Sequence, residues 1–213
     1  VGGSILTLLF WSFGFLRMGT TSLTAQAYGA NDPSQCRLVL AQSIILACGL
    51  ALLLVLGQAL IFPLALALME PSPEVTALAA SYCEIRILSA PATLINYALI
   101  GWFIGLQNTR IPLLIMVSTN CLNVALDCLF ILGLDMQSDG AAIATVLAEY
   151  TGLAIALTAV NKTLKKQAGQ LYTEKLKHLR HYRALLLVNR HLFVRTTCLL
   201  FSLSFFTSQG ARQ

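Results

Sequence analysis

Polar and charged residues divide the chain into six long apolar segments. The first five cover about 1–28, 38–68, 75–106, 111–134 and 140–160, and the sixth begins near residue 191. Short stretches rich in turn-forming or charged residues, such as GANDPSQ and QNTRIP, separate the segments. About 20 consecutive apolar residues cross a bilayer as a helix, and each of the first five segments is long enough. The pattern therefore predicts an all-α integral membrane protein, a polytopic helical bundle.

The composition supports the same fold class. Of the 213 residues, 57% are hydrophobic and 11% are charged, and the mean hydropathy is +0.75. Soluble domains carry about 25% charged residues. No charged residue occurs between Leu38 and Met69. The chain begins at Val1 inside an apolar segment, and its last apolar segment turns polar just before Gln213, so we expect a piece of a larger protein.

The charges between the segments predict the orientation in the membrane. If the helices alternate in direction, connections 29–37, 107–110 and 161–190 lie on one side, and 69–74 and 135–139 lie on the other. The first set holds ten of the fourteen basic residues, whereas the second holds four acids and no base. Lys and Arg accumulate in cytoplasmic loops, so we expect the first set in the cytoplasm; the family resemblance described below implies a bacterial inner membrane. A net charge of +5 placed in this way does not indicate a nucleic acid partner.

The long basic connection also suggests a division into lobes. We expect 161–190 to be a basic cytoplasmic linker that joins two halves of a bundle. The family resemblance described below implies that 1–160 is a partial N-terminal lobe of five helices and that 191–213 is the truncated first helix of a C-terminal lobe. The basic residues of the linker would also suit an anionic lipid surface. Membrane lipids are the expected surroundings, and the pattern predicts no obligate protein partner.

Cysteine and histidine patterns give no sign of a metal or a catalytic centre. The six cysteines form no CxxC pair, and five of them lie within apolar segments, so we expect small packing residues. The three histidines, at positions 178, 181 and 191, lie in the basic connection. Neither HExxH nor GxGD occurs. We therefore expect no enzyme, no metal site and no cofactor.

Five ionisable residues lie within the apolar segments: Arg17, Glu84, Arg86, Asp127 and Glu149. Ionisable groups at membrane depth are costly and mark functional sites by default. A count of ~1.5 Å per helical residue places the three acids at similar depths in the outer half of the membrane. Arg17 lies deep and is a candidate counter-ion. We treat Arg17, Glu84 and Glu149 as possible accessory charges around Asp127.

The polar residues of the fourth segment lie on one face of its predicted helix, and those of the fifth segment lie on one face of the next helix. Asn120, Asn123 and Asp127 share the i, i+3, i+7 spacing of one helix face, and Thr145 and Glu149 share the i, i+4 spacing. The short turn DMQSDG makes the two helices antiparallel neighbours, so we expect Asp127 at about the level of Thr145 and Glu149. Their oxygen atoms suit a proton or a hard cation such as Na⁺. The alternative is that these polar groups only hold helices together.

Several motifs resemble one transporter family. NVALDCLFILGLDMQSDGAAIATVLAEY (123–150) is similar to the N…D…GL…GAA.AT hallmark of the MATE family, the multidrug and toxic compound extrusion transporters. FLRMGTTSLTAQAYGAND resembles the family's second helix, and FFTSQGAR its seventh. The motifs GWFIGLQNTR and EIRILSAP are similar to sequences of the family's DinF-like branch.

The resemblance implies a twelve-helix antiporter of two six-helix lobes. Such a protein exports organic, often cationic, compounds in exchange for H⁺ or Na⁺. The family's N-lobe cation site maps here to Asn123, Asp127 and Thr145, while its other key acid lies on helix one, before Val1. Two alternatives stay open: a flippase for lipids or lipid-linked oligosaccharides, and a membrane scaffold that transports nothing.

Overall fold

The computed structural model describes residues 2–69, 73–166, 169, 182, 185–195 and 198. Most of these residues are helical, and none of them forms a strand. The helices are α1 (Gly2–Ser12), α2 (Gly14–Gly29), α3 (Pro33–Met69), α4 (Pro73–Arg86), α5 (Ala90–Gly105), α6 (Arg110–Asp127), α7 (Gln137–Lys166) and α8 (185–195). The predicted all-α membrane bundle is confirmed. Most of the predicted linker and of the sixth segment lies outside the described residues.

Four helical stretches of the described chain are long and apolar enough to cross a membrane. They are Pro33–Pro63, Leu78–Gly105, Arg110–Gly133 and Gln137–Lys166. Their outer surfaces carry large apolar side chains, among them Leu56 and Leu60 on α3, which are 71% and 75% exposed. Water disfavours such surfaces, whereas lipid tails or other membrane helices cover them at no cost. The second to fifth predicted segments are therefore confirmed as candidate spans.

The first predicted segment is not one continuous helix. α1 ends at Ser12 and α2 begins at Gly14, and the Phe13 and Leu16 amides donate to carbonyls only three residues back. Ser12 Oγ donates to Leu8 O at 2.8 Å, a bond that competes with regular helix geometry. Closely spaced Gly and Ser favour such a kink, so this segment consists of two shorter helices and not of one continuous helix.

The third segment is also interrupted. A 3₁₀ turn, Ile87–Ser89, separates α4 from α5. Pro91 has no amide hydrogen, so α5 tolerates it only near the start of the helix, where it lies. Ser89 Oγ donates to Arg86 O at 2.8 Å and closes the turn. Arg86, the last residue of α4, directly precedes this break.

α5 is the central helix of the described bundle, and it packs very closely against α2. A methyl group at Gly101 would come within 2.5 Å of Arg17 O, and one at Gly105 within 2.5 Å of Thr24 Cβ. Thr21 Oγ1 donates to Gly101 O at 3.1 Å across the interface. Small residues four apart are a common way for membrane helices to approach each other. The GWFIG sequence of α5 therefore sets the position of α2.

One contact links the helix ends that the charge pattern assigns to the same side. Arg37 Nη2, at the start of α3, donates to Leu164 O near the end of α7 at 2.5 Å. The last carbonyls of a helix lack helical partners and carry partial negative charge, so a guanidinium stabilises them. The start of α3 and the end of α7 therefore lie on the same side of the bundle, as predicted.

Candidate functional site

α6 and α7 pack against each other as antiparallel neighbours, as the short turn between them predicts. Asn123 Nδ2 on α6 donates to Thr145 Oγ1 on α7 at 3.1 Å. Thr145 Oγ1 in turn donates to Ala141 O at 2.8 Å within its own helix. Both side chains are half-buried. The structure thus brings together two of the three residues predicted to bind a cation, and it orients the threonine oxygen toward α6.

Asp127 is the third residue of the predicted set and the last residue of α6. It lies one turn beyond Asn123 and is half-buried. Its Oδ1 atom is buried and has no hydrogen-bond partner among the described residues. Leaving a carboxylate oxygen buried without a partner is expensive. A proton or a cation at this oxygen would remove that cost.

A π-helix follows Asp127 immediately. It covers Cys128–Gly133, and the Leu134 amide donates to Leu129 O, five residues back, at 3.1 Å. π-helical turns are rare and occur frequently at functional sites. The change of helical pitch occurs at the carboxylate itself, and no sequence pattern that we used could predict it.

The expected height of Asp127 needs a correction. The Asn123–Thr145 bond places Asp127 one turn to the outer side of Thr145, whereas Glu149 lies one turn to the inner side. The two carboxylates are therefore two turns apart, or roughly 11 Å along the helix axis. The expectation placed them level because it counted depth from the loop acids Asp135 and Asp139, whereas the Asn123–Thr145 contact sets the register of the two helices.

The remaining sequence-predicted residues lie apart from Asp127. Asn120 is exposed, although it shares a helix face with Asn123. Glu84 is exposed on α4, beside Gln58 of α3. Arg17 is exposed on α2, which packs mainly against α3 and α5. Arg17 instead borders a cavity of about 350 Å³, whose other lining residues include Trp11, Tyr97 and Arg195.

Glu149 has a partner that sequence reasoning missed. Asn96 Nδ2 on α5 donates to Glu149 Oε2 at 3.3 Å and to Glu149 O at 3.2 Å. The Arg86 charge also acts on this carboxylate. The single Asn in the apolar run LINYALIGW is a usable signal of a buried polar contact. It was missed because only ionisable residues of this segment were treated as candidates. The pairing itself joins positions 53 residues apart, so no local pattern predicts it.

No metal centre is evident in the part of the chain that the structure describes. No group of three or more His, Cys, Asp or Glu residues there could hold a metal ion. The six cysteines are free thiols, with Cys36 and Cys83 buried. The oxygen-lined face between α6 and α7 is consequently the best candidate site.

A comparison with known proteins identifies the family. The family description MatE matches residues 1–129, more than half of the chain. The chain belongs to the MATE family. Members of this family are transporters and not enzymes.

MATE relatives cover the whole chain. The DNA damage-inducible protein F of Escherichia coli (strain K12) is 41% identical over 212 residues, which are 100% of this chain and 46% of that protein. The multidrug export protein MepA of Staphylococcus aureus is 26% identical over 61% of this chain and 29% of its own length. This chain therefore spans about half the length of the Escherichia coli relative.

Solved MATE structures share the fold. An outward-facing multidrug resistance MATE family transporter superposes with a TM-score of 0.81 over 97% of this chain and 46% of that protein, at 21% identity. The chain is thus a multi-pass membrane protein with the architecture of one half of a MATE transporter.

Proposed function

We propose that this chain forms the N-terminal lobe of a secondary antiporter of the bacterial inner membrane, which exports organic, often cationic, compounds in exchange for H⁺ or Na⁺. The observation that carries the proposal is the polar face between α6 and α7. There Asn123 and Thr145 are hydrogen-bonded, and one turn away Asp127 holds a buried oxygen with no partner among the described residues. The names of the relatives support export of drugs as the activity.

The proposed site binds the coupling ion through three oxygen-bearing side chains. Asp127 supplies the charge, and Thr145 and Asn123 supply neutral oxygens. Hard cations prefer oxygen ligands, and a carboxylate also takes a proton, so the chemistry suits either ion. In alternating access one lobe moves against the other around a central cavity. The ion would bind from the outer side, while the exported compound leaves, and dissociate on the cytoplasmic side.

The test replaces Asp127 in the intact transporter, by which we mean this chain within a MATE protein of full length. Asp127→Asn keeps the size of the side chain and removes the charge. We expect it to abolish active efflux of a fluorescent dye from cells, because the ion can no longer exchange at this position. Asp135→Asn is the matched control, since Asp135 is an exposed acid eight residues away.

The control should retain the efflux rate of the wild type. If Asp127→Asn also retains it, while the protein reaches the membrane in normal amounts, then Asp127 does not bind the coupling ion. Loss of efflux in both variants would mean that an acid at this end of the bundle matters for reasons other than ion binding, which would equally contradict the assignment.

A further inference from the structure

Glu149 forms a second buried polar cluster on the side of α7 that faces α5. Its carboxylate accepts a hydrogen bond from Asn96 Nδ2 at 3.3 Å, and the same nitrogen donates to Glu149 O at 3.2 Å. Asn96 is only 4% exposed. A carboxylate in the middle of a long apolar helix is thus held by a neutral amide inside the bundle. No residue of the Asn123–Thr145 pair takes part in this cluster.

The amide of Asn96 retains an unused acceptor. Asn96 Oδ1 is buried and has no hydrogen-bond partner among the described residues. An asparagine amide carries both donors and an acceptor, whereas arginine and lysine side chains only donate. Asn96 can therefore bond an ionised Glu149 through Nδ2, and after rotation of the amide it can bond a protonated Glu149 through Oδ1. A partner of this kind stabilises both protonation states.

A hydroxyl from a third helix lies close to the same cluster. Thr119 Oγ1 on α6 is buried and has no partner among the described residues. A methyl group added to Gly152 would collide with this hydroxyl and would lie 3.6 Å from Asn96 Nδ2. Two helices, α5 and α6, thus bring unsatisfied polar atoms to one level, next to Gly152 of α7. Unsatisfied groups inside a membrane bundle are costly, and a site that gains and loses a proton gives them partners.

The charged surroundings favour a proton over a metal cation. The positive charge of Arg86 on α4 acts on Glu149, and Tyr97 on α5 lies within range of the charges of Glu149, Arg86 and Arg17. The residue that α6 contributes at this level, Thr119, is neutral. The guanidinium of Arg86 disfavours a separate metal cation such as Na⁺ beside Glu149, whereas a bound proton becomes part of a neutral carboxyl group.

Arg86 acts from a distance and not as a fixed partner of the carboxylate. Its Nη1 atom donates to Ser89 Oγ. Its guanidinium carbon lies 5.4 Å from the centroid of the Phe10 ring, a cation–π contact. Because these contacts hold the guanidinium on the α4 side, it does not lock Glu149 in the ionised state.

We propose that Glu149 is a proton-binding site in addition to the Asp127 site, with Asn96 as its switchable hydrogen-bond partner. A proton from water forms an O–H bond at the carboxyl group in one state of the transporter and returns to water in the other. The contribution of this proton to export rests on the proposed function, whereas its binding does not.

The first experiment measures protonation directly. Infrared difference spectra of the purified intact transporter, recorded between mildly acidic and mildly alkaline buffer, report the C=O band of each buried carboxyl that titrates. We expect Glu149→Gln to remove one such band that Asp127→Asn leaves in place. Asn96→Leu should shift the titration midpoint of that band alone. If Glu149→Gln removes no titrating band, or if Asn96→Leu leaves the midpoint unchanged, the proposal is overturned.

The second experiment separates this proposal from the proposed function. Dye efflux driven by an imposed pH gradient is measured in liposomes for Glu149→Gln, Asp127→Asn and Glu149→Asp, each checked for folding by size-exclusion chromatography. We expect Glu149→Gln to move fewer protons per dye molecule and Glu149→Asp to restore the ratio. Loss of efflux in Asp127→Asn with an unchanged proton-to-dye ratio in Glu149→Gln would reject only the contribution of the Glu149 proton to export. The spectral change in Glu149→Gln together with full efflux in Asp127→Asn would reject only the proposed function.

Discussion

Thr145 shows how one hydroxyl serves packing and the proposed ion site together. It accepts from Asn123 across the α6–α7 interface and donates to Ala141 in its own helix. Either role alone is common in membrane helices. The position one turn from Asp127 is what makes the oxygen available to an ion held by that carboxylate. The spacing of Asn123, Asp127 and Thr145 allowed this face to be predicted from the sequence.

Replacing this hydroxyl separates the two roles. Thr145→Val keeps the shape of the side chain and leaves the Asn123 amide without its acceptor. Interhelical hydrogen bonds in membranes contribute roughly 0.5–2 kcal/mol, so we expect a fall of that size in the free energy of unfolding, measured by chemical denaturation in detergent. Thr145→Ser keeps the hydroxyl and should retain most of that stability. Equal stability in the Val and wild-type proteins would show that the bond stabilises nothing.

At the scale of helices, the α2–α5 contact leaves no room for a side chain at Gly101. Alanine at Gly101 gains about 1 kcal/mol in helix propensity, but its methyl group would lie 2.5 Å from Arg17 O. Overpacking costs about 1–3 kcal/mol, so the steric cost wins. We expect Gly101→Ala to lower the melting temperature of the purified protein.

Gly49→Ala is the matched control on α3. A methyl group there meets nothing within 4 Å, so the substitution should leave the melting temperature unchanged or raise it slightly. A Gly101→Ala protein as stable as the Gly49→Ala protein would contradict the close packing of α2 on α5.

The positions of the helices could be predicted from the sequence, but the interruptions within them could not. Long apolar runs and charged turns place four candidate spans close to their observed positions, because bilayer thickness fixes the length of a span. The break at Phe13, the 3₁₀ turn Ile87–Ser89 and the π-helix Cys128–Gly133 were missed. These interruptions depend on individual Gly, Ser and Pro positions and on packing between helices. The Asn96–Glu149 bond was missed because it also depends on packing between helices.

For the whole molecule, the charge pattern predicts which ends of the helices face the cytoplasm. In a background where the six native cysteines are replaced, Thr109→Cys should react with a membrane-impermeant maleimide only in inside-out vesicles. Met136→Cys should react only in right-side-out vesicles. Both residues are exposed at helix connections, so access and not burial decides the labelling. The reverse pattern would contradict the predicted orientation.

The most direct test of the account is ion movement coupled to export. The intact transporter is reconstituted in liposomes that contain a pH-sensitive or Na⁺-sensitive dye, and an organic substrate is added on the side from which it is exported. We predict that the wild type moves H⁺ or Na⁺ in the opposite direction to the substrate and that Asp127→Asn moves neither. Substrate export without any ion movement, or coupled movement that persists unchanged in Asp127→Asn, would contradict the assignment of the ion site to α6 and α7.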